Sequence, residues 1–295
     1  MKVRKLERMR SMSSAQSQPS EYLAEILTWV QRREREVNPV PLRSPQLGRR
    51  RQLVEWTAER AVELKLSTMT VHMAVRYMDL FMSGHDIGEP QLYLVSLCSL
   101  MLASKMCDNK EMFIPRLSTL CQHLPQPTDM TPGNLGRLES VMLRFLDWDL
   151  NLPTCCYITD LLINRSLSLD DWAQSQRHTV TSSSRQFTSF TEMKMAFLRT
   201  IKEILDIYLQ EESMIQNLPS LMAVAVLQAS RCVLGLAWCE ELDLVTGWGR
   251  EVTQYPTDCL VSLHKLEPED DVIVIDEGYI SNNGSINTST TTGER

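Results

Sequence analysis

SLCSLMLASKMCDNK, residues 96–110, is apolar or small at almost every position until it meets a lysine at 105. Extended back to Pro90, the run is apolar on every side of a helical period, as in a helix surrounded by other helices. Such a helix needs neighbours, and the sequence supplies them. Ser44-Pro45, a cap residue with proline at the first helical position, opens a helix through Arg50, Leu53, Trp56 and Ala61. The stretch Ser67–Thr70 opens another, with the apolar stripe Val71, Ala74, Val75, Met78 and Met82 and with Asp79 beside it. A shorter helix fits residues 112–122. Thr131-Pro132 starts one with Leu135, Leu138, Met142, Phe145 and Leu146 on a single side. Ahead of these five lies EYLAEILTWVQRREREV, with Leu23, Ile26, Leu27 and Val30 at amphipathic spacing.

The pattern restarts at Leu152-Pro153. PTCCYITDLLINRSL reads as a helix, residues 190–210 as a long one, and PSLMAVAVLQASRCVLGL as a second helix apolar on nearly all sides. Shorter helices fit near 240–247 and 256–266. LMLASKM (100–106) and AVLQASRC (225–232) both place a basic residue after Ala-Ser, and Pro90 and Pro219 each begin such a helix. Five helices in each unit, one of them central, make a repeat. The expected organisation is a disordered leader (1–19), a first unit with its preceding helix (20–152), a second unit with a Ser/Thr-rich insertion around 175–190 (153–266), and a flexible acidic and Ser/Thr-rich tail (267–295).

Composition agrees with an all-α chain. Hydrophobic residues are 43% and charged residues 23% of 295, with only 11 glycines and 6% aromatics, which disfavours a barrel or sandwich. No apolar run approaches a membrane span, and the basic start MKVRKLERMR lacks the apolar region of a secretory signal. The eight cysteines form no CxxC pair and read as reduced, mostly buried hydrophobes of an intracellular protein. The five histidines show no metal spacing, and no phosphate loop, nucleophile elbow or kinase catalytic loop occurs. Neither a metal, a cofactor nor catalysis is expected. Net charge is −7, a poor balance for a nucleic-acid binder. The first 60 residues nevertheless carry thirteen Lys/Arg against seven Glu, suited to an acidic partner or an import receptor.

Three charged positions raise questions of their own. Asp79, beside an apolar stripe, is desolvated unless paired, and Arg50 on the preceding helix can grip it with two hydrogen bonds. Lys105 leaves a buried helix and Glu139 projects from a core-forming one. From the residues alone, two readings of Lys105 and Glu139 stand equal. Either they face a partner together, or Lys105 complements its own helix end and Glu139 is solvated.

The segments RRRQLVEW, VHMAVRYMDLFM, QLYLVSLCSLMLASKM and RLESVMLRFLDWDLNLPT resemble the cyclin box, the five-helix unit of cyclins. The likeness covers residues 20–153, and more loosely 153–266 as a degenerate second box. PQLYLVSLCSLMLASK, LNLPT and the PSL-initiated helix with its ASR look closest to the cyclin J family. Arg50, Asp79, Leu94 in the core of the central helix, Lys105 and Glu139 fall at the five positions that carry the cyclin pattern. The resemblance implies two tandem five-helix boxes, the second degenerate, with an N-terminal helix. It also implies that Lys105 and Glu139 hydrogen-bond to a cyclin-dependent kinase near its regulatory helix. The chain would then push that helix inward, order the kinase's activation loop and act in cell-cycle control, in the nucleus or cytoplasm.

The chain departs from the pattern in places. Cyclins that dock Arg-x-Leu motifs carry a Met–x–x–Ile/Leu–Leu–x–x–Trp patch. Leu53 and Trp56 remain here as a residual patch, but Arg49 and Gln52 replace apolar members. Met106 and Cys107 replace the acidic pair that often follows the lysine. In the tail, Val272, Ile273, Val274 and Ile275 between acids resemble a SUMO-interacting motif, against a plain tail segment folded back on the domain. Two rival classes share this pattern. A promoter-DNA-gripping factor of the same fold would need basic second-unit helices, whereas EELDLV and LQEES are acidic. A cyclin-like scaffold that binds no kinase is the other.

Overall fold

The computed structural model describes residues 20–37, 47–108, 132–177 and 187–266. Eleven α-helices occur among these: α1 Ser20–Val37, α2 Arg50–Leu64, α3 Thr68–Gly84, α4 Glu89–Cys107, α5 Pro132–Phe145, α6 Cys155–Leu162, α7 Leu169–Arg177, α8 Phe190–Gln210, α9 Pro219–Val233, α10 Glu240–Thr246 and α11 Arg250–Leu266. The described residues hold no strand. The Ser44-Pro45 cap, the helix expected at 112–122, most of the Ser/Thr-rich insertion, and the tail with Val272–Ile275 lie outside the described residues.

Local chemistry sets the helix starts. The Ser67 and Thr154 side chains each accept the backbone N–H three residues on, at 3.2 Å, where α3 and α6 begin. Ser189 does the same for α8, while Glu192 reaches back to the amide and hydroxyl of Thr188. Helix α7 went unread in the sequence. Its start is a capping box in which Ser168 accepts the Asp171 amide at 3.3 Å and Asp171 accepts the Ser168 amide at 2.8 Å. Helix α11 begins at Arg250 rather than at the expected 256, because Pro256 sits inside it on the buried face. A mid-helix proline forfeits one hydrogen bond and strains one turn, and burial of the ring offsets that loss here.

Two hydrophobic cores result. The first gathers α2–α5 around α4, whose Leu97, Cys98, Leu100 and Ala103 are fully buried. The second gathers α6, α8, α10 and α11 around α9, buried from Met222 through Ala229. Helix α1 precedes the first unit in the chain, yet Leu23, Leu27 and Val30 pack into the second core. Its polar residues hold both units. Arg33 pairs with Asp149 at 2.6 Å, and Arg76 donates to Val37 O at 3.2 Å. On the other side Gln31 donates to Thr246 O at 2.7 Å. The fully buried Glu34 accepts the Ser220 amide at 2.8 Å and its hydroxyl at 2.5 Å. Glu34 thereby caps the first turn of α9, where the helix dipole favours an anion. Burial still raises its pKa, against the opposing pull of Ser220.

Three expected positions differ. Leu94 is half-buried against the first core rather than inside it, since it lies one turn from the exposed Gln91, on a side of α4 that meets solvent. Phe145 is 40% exposed and packs edge-on against Phe81 at the end of α3. Among the cysteines, Cys98, Cys155 and Cys156 are buried, but Cys232 is exposed. Burial raises the thiol pKa of all three buried residues, that of Cys98 to about 12.

Candidate functional site

Two charged constellations come from neighbouring elements of the first unit, and they behave oppositely. Arg50 and Asp79 face each other from α2 and α3 at 2.8 and 3.0 Å, with side chains 1% and 7% exposed. The guanidinium also donates to Leu209 O at 2.9 Å and Gln210 O at 3.4 Å, the last carbonyls of α8. Arg50 therefore satisfies an acid of its own unit and the negative end of a helix of the other unit. Burial acts to lower its pKa, and the Asp79 carboxylate outweighs burial, leaving it raised. This pair is internal and unavailable to a partner.

Lys105 and Glu139 stand at the edge. Lys105 Nζ lies 2.5 Å from Glu139 Oε1, joining the end of α4 to the middle of α5. The side chains are 36% and 22% exposed. They meet each other in the free chain rather than pointing outward separately, and they keep enough surface for a second protein to reach both. Leu143 lies one turn beyond Glu139 on the same face of α5. The Trp148 amide then closes the helix by donating to Leu143 O at 2.8 Å.

Trp148 is the residue that sequence reading passed over. It is 68% exposed, and both it and Asp147 hold left-handed backbone, φ 57° and 51°. Two consecutive non-glycine residues in that region cost about 1–2 kcal/mol each. Strain of this kind persists only where the surroundings enforce it. The Arg33–Asp149 pair and the Tyr77 hydroxyl donating to Leu150 O at 2.6 Å grip the turn from both sides. The available signal was a tryptophan between two aspartates just after a core helix.

The second unit repeats the Ala-Ser-basic triplet but turns it inward. Arg231 is 3% exposed and bonds Asp171 at 2.5 and 3.1 Å, Ser166 O at 2.6 Å and Ala237 O at 2.7 Å. Burial would raise the Asp171 pKa, but Arg231 and Ser168 outweigh it and hold it low. The counterpart of Lys105 is thus a structural bolt.

The residual docking patch is closed. Leu53 is 1% exposed, inside the first core. Trp56 is 8% exposed, with Tyr93 edge-on at 5.3 Å and Arg60 over its ring. Arg49, where a cyclin patch would be apolar, bridges to Glu89 at 2.7 Å. Among the described residues no group of His, Cys, Asp or Glu could hold a metal, and no helix is long and apolar enough to cross a membrane.

Two helical units, each packed around a buried central helix, with the Lys105–Glu139 pair at the edge of the first, define a fold of cyclin-box type. The Cyclin, N-terminal domain family model matches residues 22–151 and the Cyclin, C-terminal domain model matches residues 179–290. The chain belongs to the cyclin family. Cyclin-J of Xenopus laevis is 30% identical over 215 residues, 71% of this chain and 53% of that protein. Cyclin-J of Homo sapiens is 35% identical over 132 residues, 43% of this chain and 35% of that protein. Cyclin-A2 of Gallus gallus is 27% identical over 86% of this chain and 59% of its own length. The chain thus spans a third to three-fifths of these relatives. A viral cyclin from herpesvirus saimiri, solved by X-ray, superposes with a TM-score of 0.61 over 81% of this chain and 97% of that one, at 15% identity. That likeness supports the fold alone.

Proposed function

We propose that the chain is a regulatory subunit that binds and activates a cyclin-dependent protein kinase in cell-cycle control. The observation that carries this reading is the half-exposed Lys105–Glu139 pair at the rim of an otherwise buried helix. Left in water, such a pair adds little stability, about 0–1 kcal/mol. Covered by a partner that supplies hydrogen bonds to both ends, it gains specificity and strength. The half-buried Leu143, one turn along α5 from Glu139, and the exposed Trp148 after it add apolar area toward that end of the helix, and an aromatic on a rigid turn suits an interface anchor. The chain would contribute free energy between two kinase conformations and no chemistry of its own.

The test is co-purification of the chain with a panel of cyclin-dependent kinases, beside the Lys105→Ala/Glu139→Ala variant, with activity read on a generic substrate. Capture of a kinase that becomes active, lost in the variant, is the expected result. Capture without activity would replace activation by an inhibitory or assembly role. No capture by the folded chain would leave the scaffold.

A further inference from the structure

Helix α11 buries one side on the second core through Thr253, Pro256, Thr257 and Leu260. A second apolar line runs along its outer side. Val252 is 44% exposed and Tyr255 79%, and Leu244 on the adjacent α10 is 84% exposed. Trp238 joins the two helices, donating to Asp243 at 3.0 Å and lying under the Arg250 guanidinium at 4.9 Å. Exposed apolar side chains on two helices linked in this way are candidates for an interaction surface. The two helices and the turn between them are acidic: residues 240–258 hold five Asp/Glu (Glu240, Glu241, Asp243, Glu251, Asp258) against the single Arg250, with Glu241 held by Arg165 at 3.0 Å.

Charge decides between the two segments of this chain that are candidates to cover the face. The tail, residues 267–277, has an apolar run but six acids and no base, so the face repels it. Residues 2–10 carry Lys2, Arg4, Lys5, Arg8 and Arg10 against Glu7 alone, with Val3, Leu6 and Met9 at every third position. That is one apolar edge with basic flanks, complementary to an apolar line with acidic flanks. Helix α1 packs on the second core through Leu23, Leu27 and Val30 and touches α10 through Gln31, so it belongs to the same unit as the face. The intervening residues 11–19 span up to about 30 Å when extended.

We propose that residues 2–10 clasp the α10–α11 face of the same chain, their apolar edge on Leu244, Val252 and Tyr255 and their bases on the surrounding acids. The clasp is separate from the Lys105 face and stands whether or not a kinase binds there. It also sequesters the basic segment from other acidic proteins until it is released.

The experiment follows a fluorescein-labelled peptide of residues 1–12 by anisotropy. It is titrated into the full chain and into the full chain carrying Lys2→Glu, Arg4→Glu, Lys5→Glu and Arg8→Glu. The reversed chain leaves its face vacant, so it should bind the peptide at least about tenfold tighter than the native chain, whose own segment competes at high effective concentration. Salt should weaken that binding, and adding Leu244→Asp and Tyr255→Asp to the reversed chain should abolish it. Both side chains are largely exposed, so an unchanged circular dichroism spectrum verifies that this variant is folded. Equal affinity for the two chains, absence of binding to both, or binding that survives the Leu244/Tyr255 changes overturns the clasp. A native dimer in light scattering that Leu244→Asp dissolves also overturns it, by giving the face to a second copy.

Discussion

Replacing Arg50 with alanine strips a cation from a site where its partner cannot reach water. The Asp79 side chain is 7% exposed and both carboxylate oxygens rest on Arg50. Removing one member of such a buried pair costs about 3–5 kcal/mol, because the remaining charge stays desolvated. The Leu209 carbonyl loses its donor as well, for about another 1–2 kcal/mol. Against a total stability of about 5–15 kcal/mol, the variant should be close to unfolding. The replacement Arg50→Met/Asp79→Leu separates the two losses. It removes both charges and refills the volume, a change often close to neutral for a buried pair. It leaves the end of α8 without its donor, so a deficit of about 1–2 kcal/mol should remain. Urea unfolding followed in parallel by tryptophan fluorescence and circular dichroism measures both. The native chain should unfold with coincident transitions. The double replacement should lose that coincidence, because Arg50 is a tie between the units. The reasoning fails if Arg50→Ala costs less than about 1 kcal/mol, or if the double replacement is as unstable as the single one.

Three further outcomes are open to measurement. His72 is 3% exposed, its Nε2 has no partner among the described residues, and burial lowers its pKa to about 3. The unfolded chain binds this proton below about 6.5 and the folded chain does not, so stability should fall from neutral pH by about 2 kcal/mol at pH 5. Glu34, with its pKa raised by burial, contributes the opposite slope, so the quantity to read is the difference between the native chain and His72→Leu; equal slopes would refute the assignment. Trp148→Gly should relieve the left-handed strain and stabilise the chain by about 1 kcal/mol while weakening kinase capture at least about tenfold; unaltered capture would remove Trp148 from the face. An Arg-x-Leu peptide should give no saturable binding by calorimetry, because Leu53 and Trp56 are in the core and Arg49 is held by Glu89; saturable binding abolished by Trp56→Ala would show that the patch opens.

Periodicity made the helices legible, since burial on one side or all sides leaves a repeat in the letters. The runs at 96–106 and 219–236 mark the two centres, and the helices there are the buried ones. Pattern failed where one residue carried two meanings. The last helix is expected near 256–266 yet runs from Arg250, with Pro256 inside it, and only the packing of that ring explains why the helix tolerates it there. Helix α7 was hidden because its signal is a reciprocal side-chain cap rather than an apolar stripe. Chain order groups helix α1 with the unit it precedes, and nothing in Leu23, Leu27 and Val30 says that the second core receives them.

Direction is what local sequence carries least, and the Ala-Ser-basic triplet makes the point twice. At 103–105 and at 229–231 the same small residues let a central helix pass closely between neighbours, and both serines are buried. The basic residue then follows whichever acid the next elements supply. In the first unit that acid is Glu139, on the outer part of α5, so Lys105 stays at the rim and within reach of a partner. In the second it is Asp171, drawn inward by the capping box of α7, and the broader guanidinium closes on it together with two loop carbonyls. A lysine at 231 would lack the donors to fill that site, and an arginine at 105 would hold Glu139 more firmly against a competing partner. The choice of base at each position therefore matches its surroundings: of the two Ala-Ser-basic triplets, that of the first unit leaves its base at the surface and that of the second buries it.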